Sequence, residues 1–414
     1  MLLNLKKKLP ISFKSRIKFI IDLIICFFDI IIIIFSIKKI KNKIFFVQIE
    51  GGFGPSVTSS HLLNLDFKSN WILLFGTKKD RHNKKISKIF DEKIKFFRCG
   101  SLNSTNNQEQ FYLYIKKYLS LFFKINLRRT DEYIQNFDWQ DPESKSADKN
   151  FLSLKKRLLF ESCFFFKKRR DEISYSNNEY KKKFSEKFKK FENNFKGRAN
   201  FFLRGKGRKY PNNRFIDQIK DSRDINDYKL SIECLVDNNW QIFLTGEMFD
   251  IPDWLKKMNN SIIYLKKTNL TLDDYNLYVL MNSDIYIGGS SGPPIFNCVS
   301  NCKNLLLETC HLGIAYLDTV VSYPKIKFDN LDELKEIFLK SPFDDQFLNK
   351  IFEQKKIERL SSKELQLITN EFIYNYNNDA YWKTSKDLGF LRTQIYYLDA
   401  KISNSWLKLN NIRI

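Results

Sequence analysis

The chain has 414 residues, 43% of them hydrophobic, with 70 Lys+Arg against 47 Asp+Glu. The length exceeds one ordinary domain and fits two or three, and the apolar fraction excludes wholesale disorder. A net charge of +23 favours anionic partners, although joint enrichment in Lys, Ile, Asn and Phe also marks A/T-rich coding, which adds lysine everywhere.

Residues 1–16 read as a basic tail and 17–42 as a hydrophobic, membrane-associating helix. Phe19–Ile37 is almost continuous Ile, Phe and Leu and is long enough to cross a bilayer. Asp22 and Asp29 interrupt it. A central Asp costs about 2.5–3.5 kcal/mol on an insertion scale, and each large apolar residue returns about 0.3–0.6 kcal/mol, so spanning is close to balance. Asp22, Asp29 and Ser36 share one helical face, with Lys18 a turn earlier. This polar stripe is narrower than that of an in-plane surface helix. It suits a helix with one side packed on protein, in the membrane or beside it. Lysines flank both ends, so charge sets no orientation, and no small-residue cleavage site follows, which argues against a removable signal peptide. A buried helix of a soluble domain is the other reading.

Ile44–Ile49 is a short apolar run that predicts a buried strand. Glu50-Gly51-Gly52-Phe53-Gly54-Pro55 follows, and Ser56–Leu65 predicts a helix with Pro55 near its first position. Trp71–Phe75, Ile86–Phe90 and Phe96–Phe97 continue an α/β rhythm, which predicts a parallel sheet covered by helices. Tyr112–Phe123 reads as helix. Over Lys181–Lys196, Phe184, Phe188, Phe191 and Phe195 form one apolar stripe, with Gly197 as a stop. A basic amphipathic helix could bind lipid or a partner; a stripe on the core with lysines in water is the favoured reading.

A second α/β block begins at Phe201–Leu203. Asp227–Asn238 and Leu272–Met281 predict helices. Trp240–Leu244 (ending at Thr245-Gly246), Ile262–Leu265, Asp284–Gly288 and Asn304–Glu308 predict strands. Leu331–Lys340 and much of 345–414 look helical. No internal sequence repeat is evident, but both halves use one device: strand, Gly-rich loop, Pro, helix.

The seven cysteines are odd in number and include no C-x-x-C pair, which fits a reducing compartment better than a disulfide framework. Cys298, Cys302, Cys310 and His311 match no common zinc spacing, so buried free thiols are expected.

Gly288-Gly289-Ser290-Ser291-Gly292-Pro293 sits between a strand and a helix. Glycines let backbone N–H groups converge, the helix start adds unpaired donors, and two hydroxyls add more. A diphosphate needs such a set where no metal neutralises it; a tight turn is the bland alternative. Arg204 follows the strand Phe201–Leu203, and strand ends in open parallel sheets line the ligand crevice. A guanidinium there can fork onto phosphate oxygens. The Asp-x-Asp triplet that holds a divalent metal in many sugar-nucleotide enzymes is not in the chain.

Arg204…Tyr210, Arg223-Asp224-Ile225-x-x-Tyr228, Leu235 and Trp240 leading to Gly246, and Asp284-x-x-x-Gly288-x-Ser290-Ser291-Gly292 resemble a group of bacterial glycosyltransferases of the GT-B fold found with surface-polysaccharide genes. The resemblance covers roughly residues 200–320 and, more loosely, 44–60. It implies an α/β chain of two Rossmann-like domains facing a cleft, an acceptor domain over 43–197 and a donor domain over 198–345, followed by a helical C-terminal segment over 346–414. By that likeness Arg204, Gly246, Gly288, Gly289, Ser290, Ser291 and Gly292 hold the nucleotide-sugar. Arg223, Asp224 and Tyr228 belong to a motif with a structural role. The chain departs from the family in carrying Gly205 where Asp is usual, and in Pro293-Pro294.

In glycosyl transfer the leaving group is a nucleoside diphosphate whose charge grows as its bond to the sugar breaks, and fixed positive donors lower that barrier. If transfer inverts the sugar, a base must take the acceptor proton. Glu50, in the first loop of the acceptor domain, is the first candidate, then His61, then Glu247 and Asp273. The expected partners are a nucleotide-sugar donor, a glycan or lipid-linked acceptor and an anionic membrane surface on the cytoplasmic side of a bacterial inner membrane, with no metal and no other cofactor. A non-catalytic membrane-associated relative that binds or scaffolds is the alternative. Nucleic acid is not an expected partner, since no zinc finger, RNP-like motif or helix-turn-helix signature occurs.

Overall fold

The computed structural model describes residues 11–37, 45–48, 71–76, 94–99, 108–123, 127–129, 182, 185–191, 194–204, 219, 223–246, 250–258, 261–289, 294, 297, 302–309, 318–328, 332–333, 336–337, 345–355, 357–382 and 400–412. Glu50, His61, Glu247, Ser290, Ser291 and Gly292 lie outside them, as do the expected helix over 56–65 and the run over 86–90. The described residues up to Arg129 and those from Lys182 onward fall in two compact units. Both are built on parallel sheets with helices, so the chain is α/β.

In the first unit, α1 (Ile11–Ile37) precedes β1 (Phe45–Gln48), β2 (Trp71–Gly76) and β3 (Ile94–Cys99); α2 (Gln108–Phe123) then leads to β4 (Leu127–Arg129). The sheet order is β3-β2-β1-β4, with every pair parallel. The strands expected from the apolar runs at 44–49, 71–75 and 96–97 are present as β1, β2 and β3.

α1 packs on α2 and reaches β3. Its buried positions, Cys26, Asp29, Ile30 and Ile33, recur at the three- and four-residue steps of one helical face. Asp22 Oδ2 is also shielded from solvent, and Phe19 stacks on Phe111 of α2 with ring centroids 5.9 Å apart. The face carrying the two aspartates is therefore the one turned to protein. Among the described residues no helix is long and apolar enough to cross a membrane.

The described residues of the second unit begin with a short helical stretch ending at Phe191. Phe188 and Phe191 are buried, and the Phe188 ring meets those of Phe243 and Tyr275 at 5.4 and 6.2 Å. Of the expected stripe, Phe188 and Phe191 thus enter the core, Phe195 is half-buried, and Phe184 lies outside the described residues. The chain does not stay helical to Lys196: Asn194, Phe195 and Lys196 are outside the helix, the Lys196 N–H donates to the Asn239 carbonyl at 2.8 Å, and β5 (Gly197–Leu203) follows. A Cβ on Gly197 would come within 2.6 Å of the Trp240 ring and 2.9 Å of Asp284 Oδ2, so this glycine permits close strand packing instead of ending a helix.

Next come α3 (Lys229–Asp237), β6 (Trp240–Gly246), α4 (Asp253–Lys256), β7 (Ile262–Tyr264), α5 (Leu272–Asn282), β8 (Ile285–Gly288), β9 (Lys303–Leu306), β10 (Thr319–Val321) and β11 (Lys325–Ile326). The chain continues through α6 (Asp345–Gln354), β12 (Ile357–Glu358), α7 (Ser362–Tyr374), α8 (Asp379–Trp382), β13 (Ala400–Ile402) and α9 (Asn404–Leu409). The large sheet runs β13-β10-β9-β8-β5-β6-β7 and is parallel throughout. Every residue of β6 and β8 is buried, as expected when helices cover both faces of a parallel sheet. Ile232 and Leu235 of α3 and Ile368 of α7 are fully enclosed in one core with these strands, while Tyr275 of α5 is buried against Phe188.

Residues 346–414 were expected to be helical. They also supply β12 and β13, and β13 is the edge strand of the large sheet. Trp406 is buried and donates from Nε1 to the Tyr323 carbonyl at 2.6 Å. Glu371 of α7 accepts from Tyr381 Oη (2.6 Å), Ser403 Oγ (2.7 Å), and the backbone N–H groups of Asn404 (2.9 Å) and Ser405 (2.7 Å). The C-terminal residues are therefore woven into the core of the second unit.

Candidate functional site

β5 is an inner strand of the large sheet, next to the central strand β8. From it, β6 and β7 step one way, and β8, β9 and β10 step the other. The connections leaving β5 and β8 thus diverge, and in open α/β sheets ligands bind outside the carboxyl ends of the strands at such a switch point. The sequence places its candidate donor residues there. Leu203 pairs with Gly246 and Phe202 with Gly288. Arg204, half-buried, is the next residue after β5. Arg204, Gly246, Gly288 and Gly289 therefore lie at one edge of three adjacent strands. The first sheet repeats the arrangement: its order gives a switch point between β1 and β4, and Glu50 follows Gln48, the last residue of β1, by two positions.

The glycines differ in what they do. At Gly288 a Cβ would approach the Phe202 carbonyl oxygen to 2.8 Å and Tyr286 Oη to 3.0 Å, so the position lets two strands and a phenol come together. The Tyr286 hydroxyl donates to the Gly289 carbonyl at 3.2 Å. A Cβ on Gly289 meets nothing within 4 Å, so the backbone there faces open space. Gly246 has a φ of +106°, and a Cβ would fall 1.9 Å from the Leu203 carbonyl oxygen. Asn276 of α5 grips it on both sides. Its Oδ1 accepts from the Gly246 N–H at 3.1 Å and its Nδ2 donates to the Gly246 carbonyl at 3.2 Å. With that N–H engaged, Gly246 shapes the edge instead of offering a donor. The neighbouring hollow is lined by Ile251, Tyr264, Leu272 and Tyr275 among others.

Pro294 and Asn297 are helical, so a helix follows the Gly/Ser loop as expected. The fully buried Asn297 donates from Nδ2 to Asn304 Oδ1 at 2.7 Å, and Asn304 donates to Thr319 Oγ1 at 3.3 Å. This chain of amides and a hydroxyl fixes the helix to β9 and β10. No periodicity in the sequence marked it.

The Arg223-Asp224-Ile225-x-x-Tyr228 motif is structural. Asp224 caps the turn before α3, accepting from the Asn226 N–H at 2.9 Å. Tyr228 is buried edge-on against Phe201, with centroids 5.4 Å apart. Burial, reinforced by the nearby Glu308 carboxylate, pushes its phenol up to about 12. Arg223 bonds Asp227 at 3.1 Å and reaches Glu308 at 3.5 Å.

Glu308, which follows β9 at the same sheet edge, is the residue that sequence reasoning missed. It is buried, with a φ of +49°. Its Oε2 accepts from Arg359 Nε at 3.0 Å and from Arg223, and its Oε1 from the Leu360 N–H at 2.7 Å. Both oxygens are engaged, so this carboxylate is a clasp and not a base.

Cys26, Cys234 and Cys302 are buried free thiols. Cys298, Cys310 and His311 lie outside the described residues. No group of three or more His, Cys, Asp or Glu that could hold a metal occurs among the described residues.

No family model matches the chain, and no curated protein matches it. Among solved structures, the E. coli ADP-heptose lps heptosyltransferase II is similar at 9% identity and a TM-score of 0.39, over 75% of this chain and 99% of that one. The E. coli heptosyltransferase WaaC with ADP-2-deoxy-2-fluoro heptose is similar at 10% identity and a TM-score of 0.37, over 75% and 99% of the two chains. The UDP-GlcNAc 2-epimerase from Neisseria meningitidis bound to UDP-GlcNAc gives 10% identity and a TM-score of 0.35, over 76% and 91%. Likeness at this level does not define a shared family.

Proposed function

We propose that the chain is a GT-B-type glycosyltransferase that holds the diphosphate of a nucleotide-sugar at the β5/β8 switch point and transfers the sugar without a metal ion. One observation carries this reading: Arg204 leaves β5 at the edge where Gly288 and Gly289 leave its neighbour β8. A guanidinium and a glycine-rich turn leading into a helix start thereby share one strand edge, the combination a diphosphate requires. Ser290, Ser291 and Gly292 complete the set in the sequence.

During transfer the acceptor oxygen bonds to the anomeric carbon as the bond from that carbon to the diphosphate breaks. The acceptor proton passes to a base, and the nucleoside diphosphate departs with its electron pair. Arg204 and the loop would stabilise the charge growing on that leaving group; removing one such preorganised donor typically costs about 10²–10³ in rate. Glu50, placed by sequence at the end of β1 in the first unit, is the proposed base, and that unit is the proposed acceptor side. The acceptor is a glycan or a lipid-linked sugar, and the enzyme works on the cytoplasmic face of a bacterial inner membrane. The sequence contains no Asp-x-Asp triplet, which is consistent with charge neutralisation by protein groups.

The test is release of nucleoside diphosphate from UDP-, GDP-, CMP-, dTDP- and ADP-sugars (nucleoside monophosphate for CMP) by the purified full chain, with and without a polyprenyl-linked acceptor. Turnover of one donor that rises with acceptor and falls in Glu50→Gln supports the reading. A donor that binds but never turns over supports the binding-only alternative. The full engagement of Glu308 keeps that alternative in view, since it removes one carboxylate at this edge as a base.

A further inference from the structure

We propose that α1 is a one-leaflet membrane anchor: its protein-facing stripe stays on α2 while its opposite face sinks into an anionic lipid surface. This deepens the membrane association proposed above but rests on α1 alone, so it can fail or hold apart from the donor site.

Three observations carry it. Between Ile20 and Ile32 the side of α1 away from its buried stripe is hydrocarbon and exposed: Phe27 and Phe28 are 62% and 57% exposed, and Ile20, Ile24 and Ile32 are exposed with them. A contiguous apolar face of this kind marks an interaction surface. α2 adds exposed Leu113 and Leu121.

The charge pattern selects the occupant. Lys14, Arg16 and Lys18 precede the exposed face, and Lys38, Lys39, Lys41 and Lys43 follow it. Anionic headgroups attract such flanking clusters. A second copy of α1 would not fit. Because both ends are basic, parallel and antiparallel pairing alike would set lysine against lysine.

The depth follows from the opposite face. Crossing the bilayer would pull Asp22 and Asp29 away from protein into hydrocarbon, the costliest environment for a carboxylate on an insertion scale. Left in place, Asp29 remains buried against protein. The helix therefore keeps one side on the protein and gives the other to lipid, with both ends at the same surface.

Flotation of the full chain with sealed phosphatidylcholine vesicles, with and without phosphatidylglycerol, tests this. The chain is expected to float, more strongly with phosphatidylglycerol and less in high salt. Ile24→Glu with Phe28→Glu should abolish flotation, leaving the thermal melt and donor binding unchanged because both side chains are exposed. A protease-cleavable tag placed ahead of Met1 should be removed from outside the vesicles. Three results would overturn the proposal: flotation indifferent to the variant, a tag protected inside the vesicle, or a stable dimer that the variant dissociates while the parent chain never floats.

Discussion

Phe202 of β5 lies in register with Gly288 of β8, and a side chain on Gly288 would strike the Phe202 carbonyl at 2.8 Å. One residue on, Gly289 faces open space. The two neighbours should therefore respond differently to alanine. Gly288→Ala must shift backbone and is expected to lower Tm by several degrees, since a loss of about 1–2 kcal/mol moves Tm by roughly 2–8 °C in a domain of this size. Gly289→Ala should leave Tm nearly unchanged and weaken donor binding, because the added methyl occupies the space proposed for the diphosphate. Paired thermal melts and donor titrations check both.

Gly246 and Asn276 form a second unit of edge geometry. Gly246→Ala meets a φ of +106° and a Cβ only 1.9 Å from the Leu203 carbonyl oxygen. Strain of this kind costs about 1–3 kcal/mol before the clash is added, so Tm should drop by at least roughly 5 °C. Asn276→Ala leaves a backbone N–H and a carbonyl without their partner, a loss of about 1–3 kcal/mol. Chemical denaturation of both variants is the measurement, and the structural role assigned to Gly246 requires a stability loss in each.

Glu308 is buried against the partly exposed Arg223 and Arg359. Removing one member of a buried charged set leaves the others uncompensated and costs about 3–5 kcal/mol. Glu308→Ala is expected to be among the most destabilising changes in the second unit. If Glu308 instead serves as a base, Glu308→Gln will lose turnover with donor affinity and Tm preserved, and kinetics with melts on the same variant separate the two roles.

Glu371 gives a pH signature. Burial by itself would raise its carboxyl, but donors from Tyr381, Ser403, Ser405 and Asn404 outweigh that and hold it below the usual carboxylate value. A depressed folded-state pKa contributes stability above the unfolded pKa of about 4.3, and that stability is lost as pH falls through the folded value. Glu371→Gln should melt below the parent chain at neutral pH, and the gap should narrow as pH drops from about 6 towards 3. Tm against pH for both proteins is the check.

Much of this was legible in sequence where apolar runs were long enough to carry a period. β1, β2, β6 and β8 follow from Ile44–Ile49, Trp71–Phe75, Trp240–Leu244 and Asp284–Gly288. The polar stripe of Asp22 and Asp29 correctly marked the protein-facing side of α1. Leu127–Arg129, Thr319–Val321 and Ala400–Ile402 were not legible, because three residues show no alternation and their strand character comes from pairing with distant neighbours. Gly197 misled for a physical reason: the same residue type ends helices and admits close packing, and only the Trp240 ring decides between them. The α7 start did carry a readable signal, since Ser361 and Glu364 form a reciprocal capping box. The convergence of Arg204 with Gly288 and Gly289 followed from reading strand ends. The Glu308 clasp did not, because it joins residues up to 137 positions apart.

The most direct test of the account is calorimetric titration of the donor into the full chain in EDTA, for the parent and for Arg204→Ala. Binding should persist in EDTA, and Arg204→Ala should weaken it about 10- to 100-fold, the loss of one charge-assisted contact of roughly 1.5–3 kcal/mol. Binding that disappears in EDTA and returns with manganese, or that Arg204→Ala leaves intact, would contradict it.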